Sequence, residues 1–214
     1  MNEPPLPLKR RVPQQVRSRG RFEAVLEAAG RLVVESGVEA VNTRTIATEA
    51  GIPVASLYQY FADKEEILLA LVTRDLAEMD AQVAEDLAAL SVLSVRTLVE
   101  TTMRAFVKVY LRRPAFVVIW LRGRTNPAIE EYCRAHNRRI AAQLLGFARE
   151  AGMVQEPSTG LYAELAVAVA DRLFQIAFET SLEGDPLVIE EGIAVVSAYL
   201  ETHATAAGIA GVQT

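Results

Sequence analysis

Residues Asn42 to Lys64 read NTRTIATEAGIPVASLYQYFADK, and the fold follows from how that stretch is punctuated. Asn42 is a good N-cap, because its side chain can accept from an early backbone N–H of the helix that follows. That helix runs to about Ala50 and carries Ile46, Ala47 and Ala50 on one face. Gly51 supplies the backbone freedom of a tight turn. Pro53 suits the first position of a second short helix, where no N–H is needed, and Leu57 and Phe61 share one face of that helix. Asp63-Lys64-Glu65-Glu66 has the form of a capping box opening a third helix. The remaining side chains of the second helix, Val54, Ala55, Ser56, Tyr58, Gln59 and Tyr60, are small, hydroxylated or amide-bearing. Two short helices around a tight turn place such a face in the DNA major groove.

The chain around this stretch is 214 residues long, 51% hydrophobic and 23% charged, enough for one large or two small domains with a sizeable core. Its single cysteine, Cys133, excludes an internal disulfide. The N-terminus MNEPPLPLKRR has no apolar core segment. The longest clean apolar run, Ala115 to Leu121, is far short of the about 20 residues of a membrane span. A cytoplasmic protein with no membrane partner is expected. The net charge of −5 is unevenly spread: residues 1–64 hold nine Lys/Arg against seven Asp/Glu, and the remainder thirteen against twenty. The first 21 residues hold Lys9, Arg10, Arg11, Arg17, Arg19 and Arg21 against only Glu3, ahead of the helix-turn-helix. Such an arm suits phosphate or minor-groove contact; for Lys9 to Arg11 a solvated tail is the alternative.

Outward from the centre, only helical spacing is found. Residues 1–16, with four prolines, read as a flexible basic arm. Ser18 can cap a first helix carrying Phe22, Val25, Leu26, Ala29, Leu32 and Val33 and stopping at Gly37. After Asp63 a long helix runs to about Leu90, and another spans roughly 93–112 until Pro114 breaks it. A short apolar segment covers 115–121, and a helix from Asn126-Pro127 reaches about Ala151. Two further helices cover about 160–182 and 186–201, and residues 203–214 read as a frayed tail. No strand or internal repeat is expected, so the fold class is all-α. The helix over 160–182 is apolar almost all round, which requires enclosure by other helices. Together with the small residues of 186–201 it reads as a homodimer interface; the alternative is that both helices complete the core of one subunit. A two-fold dimer also doubles the DNA site.

The run TRTIATEAG followed by LYQYFADKEEIL resembles the TetR family of transcriptional repressors. Arg44, Ile46, Ala47, Ala50, Gly51, Leu57, Tyr58, Tyr60, Phe61, Lys64 and Leu68 match the family pattern at the expected spacing, and the likeness covers about residues 18–72. It implies an N-terminal three-helix DNA-binding domain over 17–62. A C-terminal helical bundle for ligand binding and dimerisation would follow over 63–202, with about nine helices in all. It also implies double-stranded operator DNA and a small-molecule effector as partners, with release from DNA on effector binding, and no cofactor. Pro53 departs from the family's usual Ser or Thr, and Val54-Ala55 from a frequent Lys-Gly or Arg-Gly. A hydroxyl and a charge are thus missing, leaving apolar contact such as thymine methyls to Val54 and Ala55.

The expected DNA contacts are Arg17, Arg19, Thr43, Arg44, Val54, Ala55, Ser56, Tyr58, Gln59, Tyr60 and Lys64. Thr43 and Arg44 lie near a phosphate, and Arg44 can also reach a guanine edge; alternatively Arg44 pairs with Glu49 or an acid of the first helix. Ser56, Tyr58 and Tyr60 offer hydroxyls, although Tyr58 can instead pack inside the small domain. Gln59 is the best base reader, because its amide matches adenine bidentately. Lys64 aims at backbone phosphate. The effector is expected to be hydrophobic or aromatic, with Met103, Phe106, Tyr110, Phe116, Trp120, Tyr132, Phe147, Phe174 and Phe178 as candidate pocket residues or plain core. Cys133 and His136 share a helix face, but two ligands do not make a metal site, and no metal is expected. An enzyme lacks support, having no acid–base or nucleophile constellation. A helical interaction module that does not use its helix-turn-helix is the other alternative.

Overall fold

An apolar residue every third or fourth position gives a helix one face to bury. The computed structural model, which describes residues 16–123, 126–155 and 160–213, is built from such faces. Ten α-helices form among the described residues: α1 (Val16–Ser36), α2 (Thr43–Glu49), α3 (Val54–Leu57), α4 (Lys64–Ala88), α5 (Val95–Arg112), α6 (Pro114–Phe116), α7 (Pro127–Glu150), α8 (Leu161–Ala177), α9 (Pro186–Glu201) and α10 (Ala206–Ala210). α6 runs on as a π-helical stretch, Val117–Gly123. Two strands of two residues each, β1 (Val92–Leu93) and β2 (Val212–Gln213), pair antiparallel, with Val92 opposite Gln213 and Leu93 opposite Val212.

The chain divides into two compact units, the residues up to Leu76 with Arg113–Tyr132, and Ala77–Arg112 with Cys133–Thr214. α4 and α7 therefore each contribute to both. In the first unit α1 is packed by α2 and α6. Val25, Leu26, Ala29 and Val33 of α1 are buried with Ile46, Ala47, Leu57 and Phe61. The Phe22 and Phe61 rings stack at 4.9 Å. Gly30 lets α1 approach α6, since a Cβ there would lie 3.6 Å from that of Ala115. Phe116 and Trp120 are buried in this unit. So is Asp75, which accepts from Arg74 Nε at 3.1 Å; Arg74 also donates to Glu27 at 2.6 Å.

In the second unit α9 packs on both α8 and α5. Gly192 permits the approach: a Cβ there would lie 3.4 Å from Leu173 Cδ1 and from Met103 Cε. Phe106, Tyr110, Phe174 and Phe178 form one aromatic cluster, with the Tyr110 ring edge-on to Phe174 at 5.2 Å and to Phe178 at 5.3 Å. Burial pushes the Tyr110 phenol well above its ordinary 10.0, with the charges of Asp171 and Cys133 adding.

Several expectations are corrected. Residues 16–18 are already helical, so Ser18 lies inside α1. Pro53 is the N-cap of α3, with ψ 139°, and not its first helical residue. Helix α8 stops at Ala177, five residues early, where the Asp185 N–H bonds the Ala177 carbonyl at 2.8 Å. The C-terminal stretch is not a bare tail: α10 docks so closely that a Cβ on Gly208 would stand 2.2 Å from the Met153 carbonyl oxygen. β2 then pairs with β1, and Ala204 bridges Val154. Strands of two residues leave no periodicity to read, and their partners are about 120 residues apart in sequence.

Candidate nucleic-acid interface and apolar cavity

Local chemistry fixes the reading head. The Asn42 Oδ1 accepts from the Arg44 and Thr45 backbone N–H groups at 3.0 Å each, and Thr45 Oγ1 accepts from the Asn42 N–H at 3.1 Å. This reciprocal capping satisfies donors that a helix start otherwise leaves open. At the other end of α2, Gly51 has φ +66°, and the Ile52 N–H reaches back to the Ala47 carbonyl at 3.0 Å. Asp63 Oδ1 accepts from the Glu66 N–H at 2.8 Å, while Glu66 returns to the Ala62 N–H at 2.6 Å. α4 thus starts at a fixed angle after the turn that follows α3.

Arg44, Ala55, Tyr58 and Gln59 are exposed, whereas Thr43, Val54, Ser56 and Tyr60 are half-buried. The Thr43 and Tyr58 hydroxyls lie 3.2 Å apart, tying the start of α2 to the end of α3. Tyr58 is 45% exposed and so does not pack inside the head. Glu49 pairs with Arg31 at 2.9 Å, not with Arg44. Lys64 Nζ donates to the Val38 carbonyl at 3.3 Å. Arg19 is exposed; Lys9, Arg10, Arg11 and the Arg17 side chain lie outside the described residues.

The nine effector candidates fall in different places. Phe116, Trp120 and Tyr132 belong to the first unit. Phe106, Tyr110, Phe174 and Phe178 make the aromatic cluster. Phe147, 37% exposed, lines an open groove with Asp80 and Leu87. Met103 alone of the nine lines the apolar cavity of about 100 Å³ in the second unit. Tyr162 and His203, outside that expected set, also line the cavity, and their rings stack at 3.9 Å with planes 8° apart. Tyr162 stands next to a loop, and His203 is about 40 residues further on, so no spacing signals their meeting. Arg104 bonds Glu190 and Glu100, which together raise its already high pKa. His136 is buried and its Nε2 lies 2.7 Å from Asp80 Oδ1. No helix among the described residues is long and apolar enough to cross a membrane.

Residues 25–71 match the family model described as bacterial regulatory proteins, tetR family. Residues 94–200 match the tetracyclin repressor-like C-terminal domain. The chain belongs to the TetR family of transcriptional regulators. This regulator is 27% identical over 190 residues to the HTH-type transcriptional regulator BetI of Rhizobium meliloti (strain 1021), covering 88% of this chain and 91% of that protein. It is 33% identical over 64 residues to the HTH-type transcriptional repressor KstR of Mycobacterium tuberculosis, 30% of this chain and 29% of that one. The crystal structure of a TetR-family transcriptional regulator from Streptomyces coelicolor aligns with a TM-score of 0.70 at 26% identity, over 86% of this chain and 99% of that one. The relatives are regulators and not enzymes. The TetR-family regulator thus presents a DNA-reading module and, in its other unit, a helical body with an apolar cavity.

Proposed function

We propose that this TetR-family regulator is a homodimeric repressor that holds a palindromic operator and leaves it on binding a small hydrophobic or aromatic effector. The observation that carries the reading is an apolar surface on the two helices of the second unit. Leu161, Leu165, Val169 and Ile176 stand exposed along α8, and Leu187 and Val195 along α9, with Leu187 75% and Leu161 59% exposed. The α8 spacings of four, four and seven residues make one stripe. A contiguous apolar stripe of this length on a water-soluble surface calls for a partner, and a second copy offers the same stripe in return.

On the DNA side, Arg44 and Gln59 supply base-edge donors and acceptors, and Thr43, Tyr58 and Tyr60 supply hydroxyls to phosphate. Val54 is half-buried, so apolar contact with thymine falls mainly to Ala55. Ser56, Lys64 and the Arg17 and Arg19 arm complete the contact set. An effector shifts the operator equilibrium only by binding the two states differently; here it would favour the state whose two heads are mis-spaced for the half-sites.

The test is binding to DNA upstream of the regulator's own gene, followed by fluorescence anisotropy over a salt series. Wild type should lose affinity steeply with salt. The Arg44→Ala/Lys64→Ala double variant should show a shallower slope, by about one unit per phosphate contact removed. Equal affinities and equal slopes would remove the DNA assignment and favour a helical interaction module.

A further inference from the structure

Three buried side-chain atoms among the described residues of the second unit have no hydrogen-bond partner, Thr102 Oγ1, His136 Nδ1 and Ser197 Oγ, and of these only Thr102 lines the apolar cavity. Thr102, midway along α5, is 8% exposed and its hydroxyl has no hydrogen-bond partner. Buried hydroxyls are normally bonded, so each exception asks for a reason. Thr102 lines the apolar cavity beside Val99 of the same helix, with Ala166 of α8 and Val196 of α9 also in the walls. None of the lining side chains is Lys, Arg, Asp or Glu. Val95, Leu98, Ala141, Ala163 and Ala166 are buried walls, whereas the stacked Tyr162 and His203 rings belong to a half-exposed rim together with Leu144, Val154, Val167, Ala170 and Leu200. A single χ1 step carries the threonine hydroxyl to a second staggered site, two rotamers being open to threonine in a helix.

We propose that this cavity receives an uncharged molecule of about six carbons bearing one hydroxyl or carbonyl, which Thr102 bonds inside a rim that includes the Tyr162–His203 stack. This deepens the effector reading above by giving the ligand's chemical class. Three observations set that class. The walls exclude an ion, because a charge moved from water into an apolar site has no compensating partner. The single unbonded hydroxyl allows one polar group. The volume of about 100 Å³ lies below the about 150 Å³ of a cavity that takes up benzene, so a six-membered ring enters with a small parting of the walls and anything much larger must displace the rim.

The experiment measures binding of phenol, benzene and benzoate to the full-length protein by ligand-observed NMR titration, with wild type, Thr102→Val and Ala166→Leu. Circular dichroism checks that each variant is folded. Wild type should bind phenol about tenfold more tightly than benzene and should not bind benzoate. Thr102→Val keeps the shape and removes the hydroxyl, so phenol should lose its advantage and bind no better than benzene, its own hydroxyl then being buried without a partner. Ala166→Leu fills the cavity and should weaken both at least tenfold. An unchanged phenol-to-benzene ratio in Thr102→Val, benzoate binding like phenol, or no binding by wild type would each overturn the assignment. A separate arm adds phenol to the DNA complex. Thr102-dependent phenol binding without change in DNA affinity would leave the cavity assignment standing and remove effector-driven release. Absence of phenol binding would remove the cavity assignment and leave release by another ligand untouched.

Discussion

Replacing Gly51 by Ala isolates what the turn of the reading head requires. Gly51 has φ +66°, and a Cβ built on it meets nothing within 4 Å. The added methyl therefore clashes with no neighbour, and its whole effect is on backbone conformation. Holding a non-glycine residue in the left-handed region costs roughly 1–2 kcal/mol. The smaller freedom of alanine in the unfolded chain offsets part of this, by about 0.4–1 kcal/mol, so the net loss is about 1 kcal/mol. Gly146, inside α7, also has nothing within 4 Å of a built Cβ, but its φ is not positive. There the same substitution should stabilise by about 0.8–1.0 kcal/mol, because glycine is a poor helix former. One chemical change in two open sites thus gives opposite signs. At about 2–4 °C per kcal/mol for a chain of this size, the two variants should differ in Tm by roughly 4–8 °C, with wild type between them. Thermal unfolding by circular dichroism at one fixed protein concentration makes the comparison, since a dimer's Tm depends on concentration. If Gly51→Ala matches wild type, or Gly146→Ala melts lower, the backbone reasoning fails. Gly37, with φ +77° and nothing within 4 Å, should behave like Gly51.

Three further outcomes follow from the geometry. Leu165→Glu or Val169→Glu, placed on the exposed α8 stripe, should leave each subunit folded but convert the protein to monomer in sedimentation experiments; a dimer with either variant would move the interface elsewhere. Gly208→Ala sets a methyl against the Met153 carbonyl, so α10 and β2 should undock, seen as faster hydrogen exchange over 206–213 with the reading head unchanged. For Tyr110 the folded-state pKa lies above the unfolded 10.0, so the folded state retains the proton longer. Its stabilising contribution is complete below about pH 10 and is lost as pH rises towards the folded value. Tyr110→Phe should flatten that alkaline limb of a denaturant-unfolding series, and an unchanged limb would assign it to another group.

The reading head is legible in the sequence because each of its determinants acts over a few residues. Asn42 caps a helix two and three positions on, Gly51 turns the chain where it stands, and Asp63 bonds the N–H of Glu66. Such contacts survive in a string of letters. The apolar character of α8 was equally legible, and its exposed half is the surface now proposed to pair two subunits.

The cavity was illegible for the opposite reason. Its walls come from α5, α7, α8, α9 and the stretch at His203, so no window of sequence contains it. Aromatic residues were a poor guide to it: Phe116 and Trp120 fill the first unit, while Phe106, Tyr110, Phe174 and Phe178 pack against one another. Aromatic side chains bury well in any apolar surroundings, so their presence does not by itself mark a pocket. The informative residue was a threonine, and nothing in its neighbours' letters tells whether a helical hydroxyl finds a partner. The pairing of β1 with β2 has the same character, since a two-residue strand is fixed by what folds back to meet it. Caps, turns and one-sided stripes are written in short-range order, and they decided the fold class and the reading head. Which buried polar group stays unbonded, which apolar face stays open and where the chain end docks depend on long-range packing, and only the folded structure decides them.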